Sequence, residues 1–183
     1  MPAGRVNSSS NTINIAQFDV IGKDGRNQFI EHVGLATNSG TQQANDVPVI
    51  DMGPPLGNGQ PMRAHVVGTA GITVDEQQKI RTFINRHESE HQAVQKVNRT
   101  NIAQAYCVLP HATPLKEADG RYTRVCFSCA GFVFEAYKYA GIRLLDVNQL
   151  PAVDLAMIQQ AYPAFAQLLN HQELRASLGL QGS

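Results

Sequence analysis

The sequence has no long apolar run, and this absence limits what the chain can be. A transmembrane helix needs about 20 consecutive apolar residues, whereas the apolar runs here are short, so we expect no membrane span. The first residues, MPAGRVNSSSNTIN, lack the apolar core of a classical secretory signal peptide. The sequence therefore predicts a protein that stays in the cytoplasm or is exported by a specialised secretion system.

An excess of charge of one sign is also absent. Fifteen Lys and Arg residues balance fifteen Asp and Glu residues, so the formal net charge is zero at pH 7. Such a chain has no overall electrostatic field that attracts nucleic acid or an anionic membrane surface. We therefore do not expect nucleic acid as a partner.

Cysteine is scarce, with only Cys107, Cys126 and Cys129 in 183 residues. An odd, small number of cysteines in a chain of this length argues against a disulfide framework. A chain of this length buries enough surface to fold without cross-links. We therefore expect reduced thiols that serve packing or chemistry.

The order of sequence patterns predicts an α+β fold. Residues 1–12 are small and polar and are predicted to be disordered, and residues 13–183 are predicted to form a single domain. The predicted sheet contains a hairpin of INIAQFDVIG and EHVGLATNSG, followed by the strands VPVIDMG and RAHVVGTAG, with GPPLGNGQP as the loop between these two strands. A helix is predicted from Thr73 or Asp75 to about Val97.

Less regular patterns follow this helix. The segment AQAYCVLP reads as a strand and HATPLKEADGRYTR as a polar loop. Two further helices are predicted at about 151–169 and 171–179.

The most regular segment is the predicted helix that begins at Cys129. Ser128 suits the N-cap, and Gly141 suits the left-handed residue that follows a helix. Apolar residues recur at helical spacing along one face, namely Cys129, Phe132, Val133, Ala136, Tyr137 and Ala140. The pattern places Cys129 in the first helical turn.

A cysteine in a first helical turn has two interpretations. Unpaired backbone N–H groups and the helix dipole favour the thiolate, which is the nucleophilic form, and the Cys129 backbone N–H can stabilise an oxyanion. Alternatively, Cys129 is a small buried apolar residue, as most free cysteines are. The helix alone favours the second interpretation, and a partner base is needed to favour the first.

A histidine strand supplies a candidate partner for this cysteine. In EHVGLATNSG, alternation puts His32, Gly34 and Ala36 on one face and Val33 and Leu35 on the other. The small neighbours of His32 leave room for the imidazole over the end of a helix packed on that face, while Val33 and Leu35 seal an opposite core.

The next predicted strand carries a candidate for the residue that orients the histidine. If this strand pairs with the histidine strand, Asp51 lies beside His32, and its carboxylate can fix the imidazole tautomer. Taken alone, His32 is an ordinary sheet residue and Asp51 a turn-flanking acid.

The cysteine helix and the histidine strand resemble segments of the permuted NlpC-type peptidases of the papain-like superfamily. CAGFVFEAYKYAGIRLL is similar to the nucleophile helix of that superfamily, and HVGLATNSG is similar to its histidine strand. The histidine precedes the cysteine, as in the circularly permuted branch that includes lecithin retinol acyltransferase-like enzymes. The resemblance implies a small antiparallel sheet packed against the nucleophile helix.

The same resemblance implies the chemistry. Cys129 would be the nucleophile, His32 the base and Asp51 the orienting acid of a thiol hydrolase that needs no metal or organic cofactor. The implied substrate is an amide in a peptidoglycan peptide, and the alternative substrate is a lipid or protein acyl group. A different alternative is that the protein is an inactive papain-like module that only binds. An antibacterial toxin exported by a secretion apparatus, with a cognate immunity protein, would fit the missing signal peptide.

A competing motif lies in the long predicted helix. His87-Glu88-Ser89-Glu90-His91 matches H-E-x-x-H, in which two histidines one turn apart bind zinc and the glutamate activates water. A third ligand does not stand out, although His111 and Glu117 are possible. The alternative is that these histidines are half-buried helix residues.

Cys126 and Cys129 also form a C-x-x-C motif, which is a redox pair in thioredoxin folds. The βαβ pattern of that fold is missing, and a zinc site would need a second cysteine pair. A further hypothesis is that Cys126 forms a disulfide with the nucleophile and silences it under oxidation.

Overall fold

The computed structural model describes residues 3–7, 9–25, 30–52, 56–97, 113–116 and 122–144. Within these ranges the chain is α+β. The predicted strand at 103–110 and the predicted helices at 151–169 and 171–179 lie outside the described residues, as do His111 and Glu117.

The described elements are ten strands and two helices. In chain order they are β1 (Ala3–Arg5), β2 (Thr12–Ile15), β3 (Val20–Asp24), β4 (Ile30–Ala36), β5 (Gly40–Gln43), β6 (Val47–Met52), β7 (Leu56–Met62), β8 (Val66–Gly68), α1 (Val74–Val97), β9 (Thr113–Lys116), β10 (Tyr122–Cys126) and α2 (Cys129–Tyr139). The main sheet has the order β1-β8-β3-β4-β6-β7, and two small sheets pair β2 with β5 and β9 with β10. Every pairing is antiparallel.

The start of the chain differs from the prediction. Residues 1–12 were expected to be disordered, whereas Ala3–Arg5 forms β1 and pairs with β8 at one edge of the main sheet. All three residues of β1 are exposed. An edge strand gains backbone hydrogen bonds without burying side chains, so the polar composition of this segment carried no signal for it.

Two predicted loops are also wrong. The GPPLGNGQP segment contributes most of β7. Pro61 is tolerated there because β7 is an edge strand. Gly59, with φ of +72°, lies at a register shift opposite Val49 and Ile50. The polar HATPLKEADGRYTR segment contains β9 and part of the β9–β10 hairpin. Gly, Pro and charged residues obscured both strands because they lower β-propensity.

The hairpin and the long helix predicted in the first half of the chain are confirmed, but the first predicted strand is divided in two. β3 and β4 form the hairpin, but the predicted first strand breaks after Ile15, where Phe18 adopts a positive φ of 67°. The long helix begins with a capping box, in which Thr73 Oγ1 accepts from Glu76 N at 3.3 Å and Glu76 Oε2 accepts from Thr73 N at 2.7 Å.

The main sheet separates two apolar clusters. On one face, Leu35 and Ile50 pack with Phe132 and Ala136 of α2 and with Ile80 of α1. The other face holds a second cluster, consisting of Ile15, Ile21, Ala36, Val47, Val49, Met62 and Ala64. Among the described helices, none has the length and apolar composition needed to cross a bilayer.

Candidate active site

The first turn of α2 has the geometry that the caps predicted. Ser128 is the N-cap residue, and its side chain accepts a hydrogen bond from Gly131 N at 2.9 Å. Gly141 follows the helix with φ of +86°, in the left-handed region. Cys129 is therefore the first helical residue, and its thiol is free and partly buried.

A hydrogen bond joins the other end of α2 to the turn that precedes β3. The buried Tyr137 hydroxyl donates to the backbone carbonyl of Phe18 at 2.5 Å. Burial, together with the charge of Asp19, raises the pKa of Tyr137 well above its ordinary value, so this hydroxyl keeps its proton at physiological pH. The sequence pattern identified Tyr137 only as an apolar position of the helix.

β4 and β6 pair, which was the condition for placing Asp51 beside His32, and this pairing brings the two residues together. Gly34 lies directly opposite Asp51, so His32 and Asp51 are diagonal neighbours on the same face of the sheet. His32 Nε2 and Asp51 Oδ2 are 2.7 Å apart. The two side chains are 25% and 16% exposed, so the pair is screened from water but accessible.

Cys129 joins this pair through the imidazole. The side chains of His32 and Cys129 are hydrogen-bonded, and because Nε2 faces Asp51, Nδ1 is the nitrogen available to the thiol. Thus the structure brings together the three residues that the sequence analysis singled out, in the order Cys129, His32, Asp51.

Backbone groups complete the surroundings of the sulfur. The N–H groups of Val33, in β4, and of Ala130, in α2, also face the thiol of Cys129 and lower its pKa. The Ala130 contact follows from the position of Cys129 at a helix N-terminus. The Val33 contact was not predicted, because no pattern in the sequence indicates which strand N–H meets the helix.

These contacts shift both pKa values toward an ion pair. Hydrogen bonds with Asp51 and with Cys129 raise the pKa of His32 from 6.5 to about 9. Burial alone would raise the pKa of the Cys129 thiol, but the hydrogen bonding and positive charge of His32, together with the N–H groups of Val33 and Ala130, outweigh it and lower this pKa below its ordinary value. Both shifts increase the share of the thiolate–imidazolium pair relative to that of an ordinary cysteine and histidine at the same pH.

The face on which the helix packs differs from the prediction. We expected α2 on the His32 face of β4, whereas it packs with Leu35 and Val33 on the opposite face. The larger residues cover the apolar stripe of α2, as burial favours. The thiol still meets His32 because it lies beside the backbone of β4, where the Val33 N–H contributes to its lowered pKa.

The H-E-x-x-H segment lies in a different environment. His87 is 5% exposed and makes edge contacts with the rings of Phe83 and Phe127, at centroid distances of 4.5 and 4.9 Å. Glu88 accepts from Asn58 Nδ2 at 3.4 Å, and the side chain of His91 lies outside the described part. Within the described residues, no group of three or more His, Cys, Asp or Glu side chains is arranged to hold a metal ion.

The structure describes the side chain of only one cysteine of the C-x-x-C motif. Cys129 carries a free thiol, whereas Cys107 and the side chain of Cys126 lie outside the described part. The hypothesis that Cys126 silences Cys129 stays a prediction.

Comparison with known proteins adds no relative. No family model matches the chain, and neither the curated proteins nor the solved structures contain a match.

Proposed function

We propose that this protein is a thiol hydrolase of the circularly permuted papain-like type, with Cys129 as nucleophile, His32 as base and acid, and Asp51 as the residue that orients His32. One observation carries the proposal: a thiol of lowered pKa at a helix N-terminus is hydrogen-bonded to an imidazole whose Nε2 lies 2.7 Å from a carboxylate oxygen. This is the arrangement of nucleophile, base and orienting group that covalent catalysis requires.

The proposed reaction has two steps. The Cys129 thiolate attacks the carbonyl carbon of an amide, and the His32 imidazolium gives its proton to the departing amine as the C–N bond breaks, which leaves a thioester on Sγ. His32, now neutral, takes a proton from water, whose oxygen attacks the thioester carbon, and the C–S bond breaks to release acid and thiolate. The Cys129 backbone N–H is the proposed donor to the oxyanion in both steps.

The proposed substrate is an amide bond in a peptidoglycan peptide, and this part rests on the resemblance of the cysteine helix and histidine strand to permuted NlpC-type peptidases. A specialised secretion system would deliver such an enzyme to the cell wall, and a cognate immunity protein would protect the producing cell. Expression directed to the periplasm should then damage the cell wall, whereas an intact wall would count against this substrate.

Digestion of purified peptidoglycan, with product analysis by mass spectrometry, tests the proposal. The parent should release peptide fragments, Cys129→Ala should release none, His32→Ala should release far fewer than the parent, and His87→Ala should act like the parent. A parallel incubation with phospholipid vesicles tests the acyl-lipid alternative. Thermal unfolding of each variant checks that the fold persists.

Other results would favour the other readings. Stoichiometric zinc that disappears when His87 and His91 are replaced, together with loss of activity in His87→Ala, would replace the thiol mechanism by a metallopeptidase. A phenotype that Cys129→Ala leaves unchanged would favour a papain-like module that only binds.

A further inference from the structure

Asp51 lies between two glycines on the neighbouring strands. It is directly opposite Gly34 of β4 on one side and directly opposite Gly57 of β7 on the other. Directly opposite residues share a face of the sheet. The Asp51 carboxylate therefore has no side chain directly opposite it on either neighbouring strand.

The carboxylate uses the space that Gly57 leaves. A Cβ atom at Gly57 would lie 2.7 Å from Asp51 Oδ1, closer than real Cβ atoms come to an oxygen. The other oxygen of the same carboxylate, Oδ2, is the one that meets His32. The orientation of the carboxylate that reaches His32 is thus one that a side chain at Gly57 would obstruct.

The two glycines differ in what a side chain would hit. At Gly34 a Cβ would lie 3.0 Å from the backbone carbonyl oxygen of Ile50 and 3.1 Å from Asp51 Cβ, so the strands themselves would have to move. At Gly57 the close atoms are Asp51 Oδ1 and, at 3.0 Å, Cγ of the exposed Gln60. Both belong to side chains that can rotate, so alanine at Gly57 disturbs the carboxylate with little cost to the sheet.

We propose that Gly57, with Gly34, forms a slot that positions the Asp51 carboxylate on His32, and that Gly57 is a positioning residue of the active site. The role of Gly57 in catalysis rests on the proposed function. The positioning of Asp51 on His32 does not depend on it. No motif in the sequence indicated this role, since GPPLGNGQP was predicted to be a loop.

Titration of His32 tests the slot without a substrate. In Gly57→Ala the carboxylate must turn, so the pKa of His32, followed by NMR of the labelled imidazole, should fall from about 9 by about one unit or more. Gly4→Ala is the matched control, because Gly4 also lies in a strand of the main sheet but a Cβ there would meet nothing within 4 Å. Asp51→Asn is the reference for complete loss of the charge.

The thiol provides an independent readout. With Cys107→Ser and Cys126→Ser as background, Cys129 is the only thiol, and its rate of alkylation by iodoacetamide reports the thiolate at each pH. At neutral pH, Gly57→Ala should react more slowly than Gly4→Ala. Rates and a His32 pKa that match the parent, while Asp51→Asn changes both, would overturn the slot.

A folding defect would still give an answer. If Gly57→Ala does not fold, the double variant Gly57→Ala/Asp51→Ala should fold, because the carboxylate that clashes has been removed. Failure of both variants would show that Gly57 is needed for the strand and would overturn the inference. Absence of hydrolysis with the predicted titration shifts would refute the proposed function but leave the slot intact.

Discussion

His32 and His87 each belong to a sequence pattern that indicates catalysis, yet they lie in opposite surroundings. His32 is 25% exposed and hydrogen-bonded to Asp51 and Cys129, whereas His87 is 5% exposed among the rings of Phe83 and Phe127. An imidazole takes its role from the groups around it, because these groups determine its pKa and what its proton can reach. The comparison favours His32 as the functional histidine and His87 as a residue of the core.

The largest expected effect separates the two histidines by activity. His32→Ala removes the group that transfers protons to and from Cys129 and its substrate, which should lower kcat/KM by a factor of about 10² to 10⁴. His87→Ala should leave kcat/KM within a few-fold of the parent. Peptide release from peptidoglycan measures both, and equal losses in the two variants would abolish the distinction.

The second prediction concerns stability, for which we expect the opposite order of the two histidines. His87→Ala leaves a cavity beside Phe83 and Phe127 and should lower the free energy of unfolding by about 2 kcal/mol. His32 is more exposed, so His32→Ala should cost less. Denaturant unfolding of the two variants provides the test, and a larger loss for His32→Ala would mean that the first effect is structural.

The third prediction concerns the carboxylate that distinguishes His32 from His87. Asp51→Asn removes the negative charge, so the pKa of His32 should fall below about 9, and each unit of that fall corresponds to about a tenfold change in the protonation equilibrium. The parent should lose kcat/KM as the pH rises through about 9, because neutral His32 has no proton for the leaving group. In Asp51→Asn this loss of kcat/KM at high pH should begin at a lower pH. If it does not move, a group other than His32 causes the loss.

The smallest expected effect tests the helix that brings Cys129 to His32. Ser128→Ala removes the cap on Gly131 N and should lower the free energy of unfolding by about 1 kcal/mol. Because the first turn then frays, the thiolate should also become less reactive toward iodoacetamide at neutral pH. Ser128→Thr retains a neutral N-cap acceptor and should restore the reactivity, and its failure to do so, with a stable fold, would show that the cap does not support the thiolate.

Local patterns predicted much of the fold, whereas the choice of Cys129, His32 and Asp51 as site residues rested mainly on the family resemblance. The spacing of apolar residues and the two caps predicted α2, and alternation predicted β4 and β6, because both are properties of neighbours in the chain. β7 was missed because its Gly and Pro residues are tolerated only at a sheet edge or a bulge. An edge position is known only after the strand order is known.

What the sequence determined by itself is that Cys129 begins a helix and that His32 and Asp51 lie on strands in which their side chains share a face once those strands pair. Only the tertiary structure decided that α2 packs on the Leu35 face, that the Val33 N–H meets the sulfur, and that Gly57 lies beside Asp51. These contacts join residues far apart in the chain, and they depend on strand order, register and helix packing. Such features result from burial across the whole molecule, which no local pattern encodes.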